Sequence, residues 1–242
     1  MPFKCPGAPQ KIAYLAADHL QKNGQLKDCE LHFLTHGPAM FAARYGINVH
    51  FQHNLVSIDG ANKKATFNVV GGDKEGESIT LDYDMLHFTP PQSPPEAIRS
   101  SVLANEGGYV DIHQHTMQHT RYPNIFGLGD AGSSPNSKTA AAVRKQAPVV
   151  AKHLMALVHD GKLDQEYDGY GSCPLTTAYN KVIMAEFVYG GKVTPTFPLD
   201  PRKERWLNWW IKVTGLPVFY WYYMLKGHEW FFKHNTDYVD PS

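Results

Sequence analysis

The sequence predicts an α/β fold, because segments with a helical spacing of apolar residues alternate with short strand-like runs. One helical pattern and five strand-like runs fall within about the first 90 residues, and the longest helical pattern of the chain follows later. At 242 residues the chain is long enough for one large domain or two small ones.

The first helix is predicted over Pro9–Gln21. Apolar residues recur there at every third or fourth position, and Asn23-Gly24 follows as a stop. The helix opens directly after Cys5-Pro6-Gly7, which places a thiol beside its start.

Five strands are predicted in the same region. They are Leu31–Leu34, Ile47–Phe51, Ala65–Val70, Ser78–Leu81 and Asp84–Thr89. Gly71-Gly72-Asp73 joins the third and fourth strands as a hairpin, and Pro90-Pro91 halts the fifth. The first two strands are separated by Gly37–Gly46, which is short for a parallel crossover of a dozen or more residues. Either these strands are antiparallel or a helix is missing between them.

The second half begins with two short predicted strands, Tyr109–Ile112 and Ile125-Phe126. A long helix is predicted over Ser137–Val158, where apolar residues again step by three or four. Pro148 lies inside this pattern and should kink the helix, and His159-Asp160-Gly161 should end it.

Composition and charge exclude several classes of protein. The 23 basic and 23 acidic residues give a formal net charge of 0, so no basic excess is available for a phosphate backbone and nucleic-acid binding is not expected. A hydrophobic fraction of 43% argues against disorder, and three cysteines are too few for a disulfide-stapled secreted fold. The longest apolar run, Val218–Leu225, is much shorter than a membrane span of about 20 residues. The chain starts with neither a secretory signal nor a transit pattern, and we interpret this start as mid-protein.

The C-terminal stretch is aromatic, and all five tryptophans lie from Trp206 onward. A helix is predicted here in which Glu204, Asn208 and Lys212 form a polar stripe opposite an aromatic one, with a break at residues 215–217. Basic residues beside Trp and Tyr at the edge of an apolar face are typical of an interfacial, non-spanning membrane segment. The alternative is a dimer interface or a core helix pair.

The sequence Gly127–Gly132 is a literal G-x-G-x-x-G with two interpretations. A dinucleotide fingerprint needs a real strand before it, an immediate helix after it and an acidic residue about 20 positions on, and that context is poor here. In the second interpretation the free N–H groups of the next helix attract an electron-rich ligand, Asp130 accepts hydrogen bonds from ligand hydroxyls, and the small Ala140 and Ala141 admit a flat ring. The alternative is a purely structural role, in which the motif is a glycine-rich turn and Ser137 caps the helix.

Two of the three cysteines, Cys5 and Cys173, each precede a proline. Cys5 stands at or near a helix start, where the helix dipole lowers the pKa of a thiol and favours the reactive thiolate. Cys173 lies in a turn at residues 171–174. The alternative is that both are small buried hydrophobes, and this is the interpretation given to Cys29.

The nearest approach to a metal-binding pattern is the set His113, His115 and His119. These histidines lie in a polar strand-to-loop region without a fourth ligand or an organising helix. We therefore expect solvated surface histidines and no metal site.

Five segments of the chain recur together in one known family. They are Cys5–Ile12, Met85–Pro95, Tyr122–Asp130, Ser137–Val143 and Tyr167–Leu175. In the order and approximate spacing of these segments the chain resembles the mitochondrial type of sulfide:quinone oxidoreductase, a family of flavoproteins in the disulfide reductase-like group. The resemblance extends over almost the whole chain.

The resemblance implies a partial disulfide-reductase-like fold for binding FAD and NAD(P). Residues 1–121 would form a shortened second dinucleotide-binding domain, residues 122–165 the returning FAD-contacting segment and its helix, and residues 166–242 a region with a redox cysteine and amphipathic membrane-docking helices. The family's FAD-binding Rossmann half is absent, so we expect a C-terminal portion of such an enzyme.

The resemblance also implies oxidation of hydrogen sulfide, with electrons passing through FAD to ubiquinone. Cys5 and Cys173 match the family's bridged redox pair. By the resemblance, sulfide would attack the bridge, Cys173 would hold the persulfide, and Cys5 would become the thiolate that adds to the flavin. The persulfide sulfur then passes to a small thiol or to sulfite. Contacts with FAD are implied for Gly129, Asp130, Lys138, Thr139, Ala140 and Ala141. Residues 202–232 would dock on the mitochondrial inner membrane, where the quinone enters, as part of a peripheral protein.

Two other functions stay open at this point. A related flavin-dependent NADH:quinone oxidoreductase would not need the cysteine pair. A non-catalytic remnant that binds a membrane or a partner would lack flavin.

Overall fold

The computed structural model describes residues 5, 7–37, 44–159 and 161–228. The chain divides into two compact units. The unit here termed the strand unit comprises Pro6–Pro90 and Thr176–Tyr179, and the unit termed the helix unit comprises Met1–Cys5, Pro91–Leu175 and Asn180–Ser242.

The strand unit opens with helix α1, Gly7–Lys22, which confirms the predicted first helix. Tyr14 and Ala17 lie three positions apart on one face and are fully buried, as helical periodicity requires. Gly24 takes φ +71°, a left-handed conformation that ends the helix and favours glycine.

Strands β1 (His32–Thr35) and β2 (Asn48–Phe51) pair in parallel, so both predicted strands are present and the antiparallel alternative is wrong. The connection between them includes residues 38–43. The alternative of a missing helix falls on this stretch, outside the described residues.

A separate sheet has the order β3 (His53–Asp59), β4 (Lys64–Val69) and β5 (Ser78–Asp82), with both pairs antiparallel. The predicted hairpin is confirmed as β4 and β5. Strand β3 was not predicted, because its register shifts between Leu55 and Ser57 and this bulge breaks the apolar alternation that identifies a strand.

The strand predicted over Asp84–Thr89 is wrong. Residues 83–95 form neither helix nor strand, and the side chains of Met85 and Phe88 are 81% and 50% exposed. The closely spaced prolines that follow lack the N–H donors of a strand ladder, so the apolar composition does not lead to pairing.

The helix unit has a core of buried residues from its loops, its long helix and the segment before β6. This core contains Val110, Ile112, Met117, Ala142, Val149, Val150, Tyr167 and Tyr170. Helix α2, Glu96–Arg99, is a single short turn. Where short strands were predicted around residues 110 and 126, the chain forms only isolated bridges.

The long helix α3 runs from Ala140 to Val158 and continues through Pro148. It begins three residues later than predicted, because Thr139 has an extended backbone and its hydroxyl accepts a hydrogen bond from the Ala142 N–H at 3.2 Å. The alternative in which Ser137 caps the helix is therefore wrong.

The last elements are β6 (Gly171–Ala178), β7 (Lys181–Phe187), α4 (Trp206–Trp210), a π-helical turn (Ile211–Gly215) and α5 (Leu216–Tyr222). Strands β6 and β7 form a two-stranded sheet.

The break predicted at residues 215–217 is wrong. Gly215 and Leu216 keep helical dihedral angles, so α4, the π turn and α5 follow one another without a gap. Pro217 lies in the first turn of α5, where its missing N–H costs little, and the wider turn before it changes the hydrogen-bond register.

Candidate redox site

The structure brings Cys5 and Cys173 together. Their sulfur atoms are 3.9 Å apart although the residues are 168 positions apart in sequence. Neither cysteine is in a disulfide; Cys5 is half-buried and Cys173 is 3% exposed. Cys5 lies two residues before the start of α1 in the sequence, as predicted.

Cys173 lies on strand β6, so the turn predicted at residues 171–174 is wrong. Along the strand Gly171, Cys173 and Leu175 are buried, so they share one face, while Ser172 and Pro174 between them are half-buried. A Cβ on Gly171 would lie 3.2 Å from the Phe187 ring and 3.7 Å from the Ser137 carbonyl oxygen. The strand that carries Cys173 therefore starts directly beside the segment that leads into α3.

A tight turn before β6 fixes where the strand begins. The Tyr167 hydroxyl donates to the Tyr170 carbonyl at 2.7 Å, and the Tyr170 N–H donates to the Asp168 carboxylate at 3.0 Å. Gly169 has φ +87°, and a Cβ there would lie 2.3 Å from the ring of Tyr189. Only glycine fits this position.

A buried carboxylate supports the same turn. Glu186, 4% exposed, accepts hydrogen bonds from the Tyr170 hydroxyl and from the Thr196 N–H, the latter at 2.9 Å. Burial, and then the negative charge of Glu186, raise the pKa of Tyr170 well above its usual value, so this phenol stays a donor. Glu186 was not identified from the sequence. The one sequence feature that could have indicated its role is that it is a single acidic residue in an otherwise apolar stretch of strand.

The glycine motif forms a 3₁₀ turn, Gly129–Ala131, rather than the opening of a helix. The Gly129 N–H donates to the buried Gln146 side chain of α3 at 2.7 Å, and a Cβ on Gly129 would lie 3.1 Å from Val143. Gln146 was not predicted as part of this site. The dinucleotide fingerprint is therefore not formed, because α3 begins only at Ala140.

The predicted cofactor residues at positions 138–141 lie at the start of α3. Lys138 folds back, so that its ammonium donates to the Gly132 carbonyl and lies 4.9 Å from the centre of the Tyr109 ring. Thr139 caps the helix, and Ala140 is exposed in its first turn with Ala141 half-buried behind it. Asp130 is exposed at the preceding turn.

The polar stripe predicted in the C-terminal helix faces the protein. The Asn208 amide donates to the Val182 carbonyl at 3.0 Å and is buried; Lys212 donates to Pro174, and Glu204 pairs with Lys181. All three partners belong to the β6 and β7 pair.

The opposite side of this helix forms what we term the aromatic surface. Its exposed side chains are Trp206, Leu207, Trp210, Val213, Val218, Trp221, Tyr222 and Leu225. Trp206 and Trp221 are 61% and 63% exposed. Among the described residues, no helix has the length and hydropathy that a membrane span requires.

Two predictions outside the site need correction. His119 is 3% exposed rather than solvated, and its ring bonds the Leu103 carbonyl at 3.1 Å. Cys29 is exposed rather than buried. Across the described ranges no group of three or more His, Cys, Asp or Glu side chains is arranged to hold a metal ion.

Comparison with curated proteins identifies close relatives, although no family model matches the chain. Proteins described as "Sulfide:quinone oxidoreductase, mitochondrial" are 41% identical in Dictyostelium discoideum, 38% in Mus musculus and 32% in Schizosaccharomyces pombe. The matches cover 96%, 94% and 95% of this chain and 53% of each relative. The chain therefore spans about half the length of the curated relatives it matches.

Solved structures share the fold. The sulfide:quinone oxidoreductase of Aquifex aeolicus has a TM-score of 0.71 at 17% identity, covering 90% of this chain and 56% of that one. A chain in the Tetrahymena thermophila mitochondrial ATP synthase has a TM-score of 0.70 at 23% identity, covering 86% and 54%. The predicted α/β fold is thus confirmed. With its close relatives matched over almost its entire length, the chain belongs to the sulfide:quinone oxidoreductase family and corresponds to about half of such a protein.

Proposed function

We propose that this chain carries the thiol chemistry of a flavin-dependent sulfide:quinone oxidoreductase, with hydrogen sulfide as the reductant and ubiquinone as the acceptor. The observation that carries the proposal is the approach of Cys5 Sγ to Cys173 Sγ at 3.9 Å. A disulfide has an S–S distance of about 2.05 Å, so a small movement of the half-buried Cys5 joins the two sulfurs.

The redox step starts from the bridged pair. Hydrosulfide attacks Cys173 Sγ and forms a new S–S bond, while the bond to Cys5 Sγ breaks and its electron pair leaves with Cys5 as a thiolate. Cys5 suits this role because it is half-buried, so water can solvate its charge, whereas Cys173 is buried. A small thiol or sulfite then removes the outer sulfur of the persulfide and leaves a thiolate on Cys173.

FAD, when bound, would accept the two electrons that are released as the thiolates return to a disulfide. The residues at the entry to α3 fit such a group. Gly129 packs directly against Val143 of α3, where a Cβ would lie 3.1 Å from that side chain, so the glycine turn lies close to the start of the helix. Exposed Ala140 marks the positive end of the helix dipole, where an electron-rich ring edge is stabilised. Exposed Asp130 can accept hydrogen bonds from hydroxyls.

The other predicted cofactor residues would act indirectly. Lys138 bonds the loop carbonyl of Gly132, and Thr139 caps α3, so both shape the FAD-facing segment. Ala141 is half-buried behind Ala140, and its side chain is small.

The aromatic surface supports docking on the mitochondrial inner membrane. Tryptophan and tyrosine side chains favour the membrane interface, and Lys203 and Lys226 flank the surface. Ubiquinone is lipid-soluble, so a docked face gives it a route from the bilayer. Anionic vesicles should bind the chain in a sedimentation assay, and replacement of Trp206 and Trp221 by serine should weaken binding several-fold. Equal sedimentation of this variant and the parent would rule out docking through the aromatic surface.

Persulfide formation tests the thiol chemistry directly. The oxidised chain is treated with sulfide, alkylated and analysed by mass spectrometry, and an added sulfur is expected on the peptide with Cys173. The Cys5→Ser variant should lose the added sulfur, because no bridge can form. The Cys29→Ser variant is the matched control and should retain it. Labelling of Cys173 that persists in Cys5→Ser would exclude the bridged mechanism.

A non-catalytic remnant is the second candidate function, and flavin content distinguishes it from the enzyme. Flavin absorbance in protein purified from its native source, together with sulfide-dependent reduction of a ubiquinone analogue, supports the enzyme. Protein without flavin and without quinone reduction supports the remnant. Reduction of quinone by NADH that survives Cys173→Ser would instead indicate a related NADH:quinone oxidoreductase.

A further inference from the structure

A cluster of histidines lies in the strand unit, outside the proposed redox site. His32 on β1 and His50 on β2 face each other, with Nδ1 of His32 2.9 Å from Nε2 of His50. Strand register places His50 opposite Leu34, two residues after His32, so both side chains leave the same face of the pair. His53 lies edge-on to His50, with ring centroids 5.6 Å apart.

The two imidazoles point nitrogen to nitrogen. The two ring planes differ by 23°, and the ring centroids are 5.2 Å apart. This centroid distance fits two nearly coplanar rings that meet through their nitrogens. It does not fit two rings stacked face to face. Ring lone pairs lie in the ring plane. The two nitrogens therefore face each other along one line, and one of them carries the proton of the hydrogen bond that joins them.

A carboxylate fixes the tautomer of His32. Glu30 Oε1 lies 3.2 Å from His32 Nε2 and accepts a hydrogen bond from the Asn48 amide at 3.1 Å. With its proton on Nε2 facing Glu30, His32 presents a lone pair at Nδ1. A carboxylate behind an imidazole is the usual outer partner of a metal-bound histidine.

The third histidine of the cluster has a partner of its own. His53 keeps its own Nδ1 against the Phe51 carbonyl at 2.6 Å, so the two ligand nitrogens belong to His32 and His50.

We propose that His32 Nδ1 and His50 Nε2 bind one borderline divalent cation of the Zn²⁺ type, with Glu30 orienting His32. Imidazole nitrogen suits Zn²⁺ at about 2.0–2.1 Å, and two such bonds at a tetrahedral angle set the nitrogens about 3.4 Å apart. The 2.9 Å contact reaches that spacing when it opens by about 0.5 Å and each ring turns so that its lone pair meets the cation beside the N–N line. On binding, the proton between the rings moves to Nδ1 of His50. Solvent completes the coordination, since no third described side chain converges on this point.

Zinc titration of the full chain tests the site. Because thiols also bind Zn²⁺, all variants carry serine at Cys5, Cys29 and Cys173. Calorimetric titration with ZnCl₂ should give one site per chain. His32→Gln and His50→Gln should each lower the affinity at least about tenfold, and Glu30→Gln about tenfold by loss of the outer partner. The exposed His87→Gln is the matched control and should bind as the parent does.

Thermal unfolding guards against variants that fail to fold. Zn²⁺ should raise the melting temperature of the parent and of His87→Gln but not that of His50→Gln, with matching circular dichroism spectra without metal. Absence of zinc binding by the parent, or undiminished binding by both His32→Gln and His50→Gln, overturns the proposal.

Discussion

The ammonium of Lys212 donates a hydrogen bond to the carbonyl oxygen of Pro174 at 3.0 Å, and Pro174 is the residue that follows Cys173. Lys212 belongs to the π turn between α4 and α5, opposite the exposed Trp210 and Val213. One side chain thus connects the helix that carries the aromatic surface to the strand that carries Cys173, a thiol of the candidate redox site.

Replacement of Lys212 by methionine keeps the aliphatic stem and removes this donor. The free energy of unfolding should fall by about 1 kcal/mol, because a half-buried carbonyl loses a charged partner. Alkylation of Cys173 should be faster, since the strand is held less firmly. Chemical denaturation and timed alkylation measure the two effects. The exposed Lys226→Met should change neither, and equal effects of both variants would contradict the connection.

Asn208 should be worth more to stability than its apolar neighbour. Asn208→Leu leaves the Val182 carbonyl without its amide donor and should lower the free energy of unfolding by about 1–3 kcal/mol. Leu207 is 45% exposed, so Leu207→Ser should cost less than about 0.5 kcal/mol. Urea denaturation of the two variants compares them. The reverse order would mean that the helix buries its apolar side instead.

Alanine substitutions at two glycines with positive φ distinguish the cost of backbone strain from the cost of a steric clash. Gly190, at φ +75°, has open space around the position of a Cβ, so Gly190→Ala should cost only the left-handed backbone penalty of about 1 kcal/mol. Gly169→Ala adds a clash with Tyr189 and should cost about 3 kcal/mol in total. Thermal and urea unfolding provide the measurement, and similar losses at both sites would refute the tight turn.

Acid should weaken the strand unit through Asp18. Burial by itself raises the pKa of the Asp18 carboxyl. Three hydrogen bonds, from Lys22, the Tyr179 N–H and the Tyr45 hydroxyl, act in the opposite direction, as does the positive charge of Lys22. The net effect holds the pKa of Asp18 below its usual value of 3.8. Because the unfolded chain binds the proton more readily, Asp18 contributes stability above a pH of about 3.8, and this is lost as the pH falls through the lower folded value. Denaturation across this range should show a shallower pH dependence for Asp18→Asn than for the parent or Asp84→Asn.

Strong local patterns made α1, α3 and the β4–β5 hairpin predictable. Strand β3 was not predicted because a bulge interrupts its alternation of apolar and polar residues. The strand predicted over Asp84–Thr89 does not form, because apolar composition alone does not supply a pairing partner. The continuity of α4 and α5 depends on a π turn, which composition does not reveal.

The candidate site divides in the same way. Cys5, Cys173 and the entry to α3 carry residue types that indicate chemistry, but spacing cannot tell which thiols meet across 168 positions. The supporting polar residues Glu186 and Gln146 belong to an apolar strand and a long helix, where one buried polar side chain leaves no periodic trace. His119 was assigned to the surface because its partner, a backbone carbonyl, is invisible in sequence.

Because the two thiols are far apart in sequence, their oxidation would also affect the stability of the chain. A bond between Cys5 and Cys173 closes a loop of 168 residues, and in the chain-entropy model this restricts the unfolded ensemble by about 5 kcal/mol. The unfolded state of the bridged chain is thus crosslinked, and that of the reduced chain is not. In the proposed mechanism sulfide opens this bridge, so the free energy of unfolding would rise on oxidation of the pair and fall on its reduction.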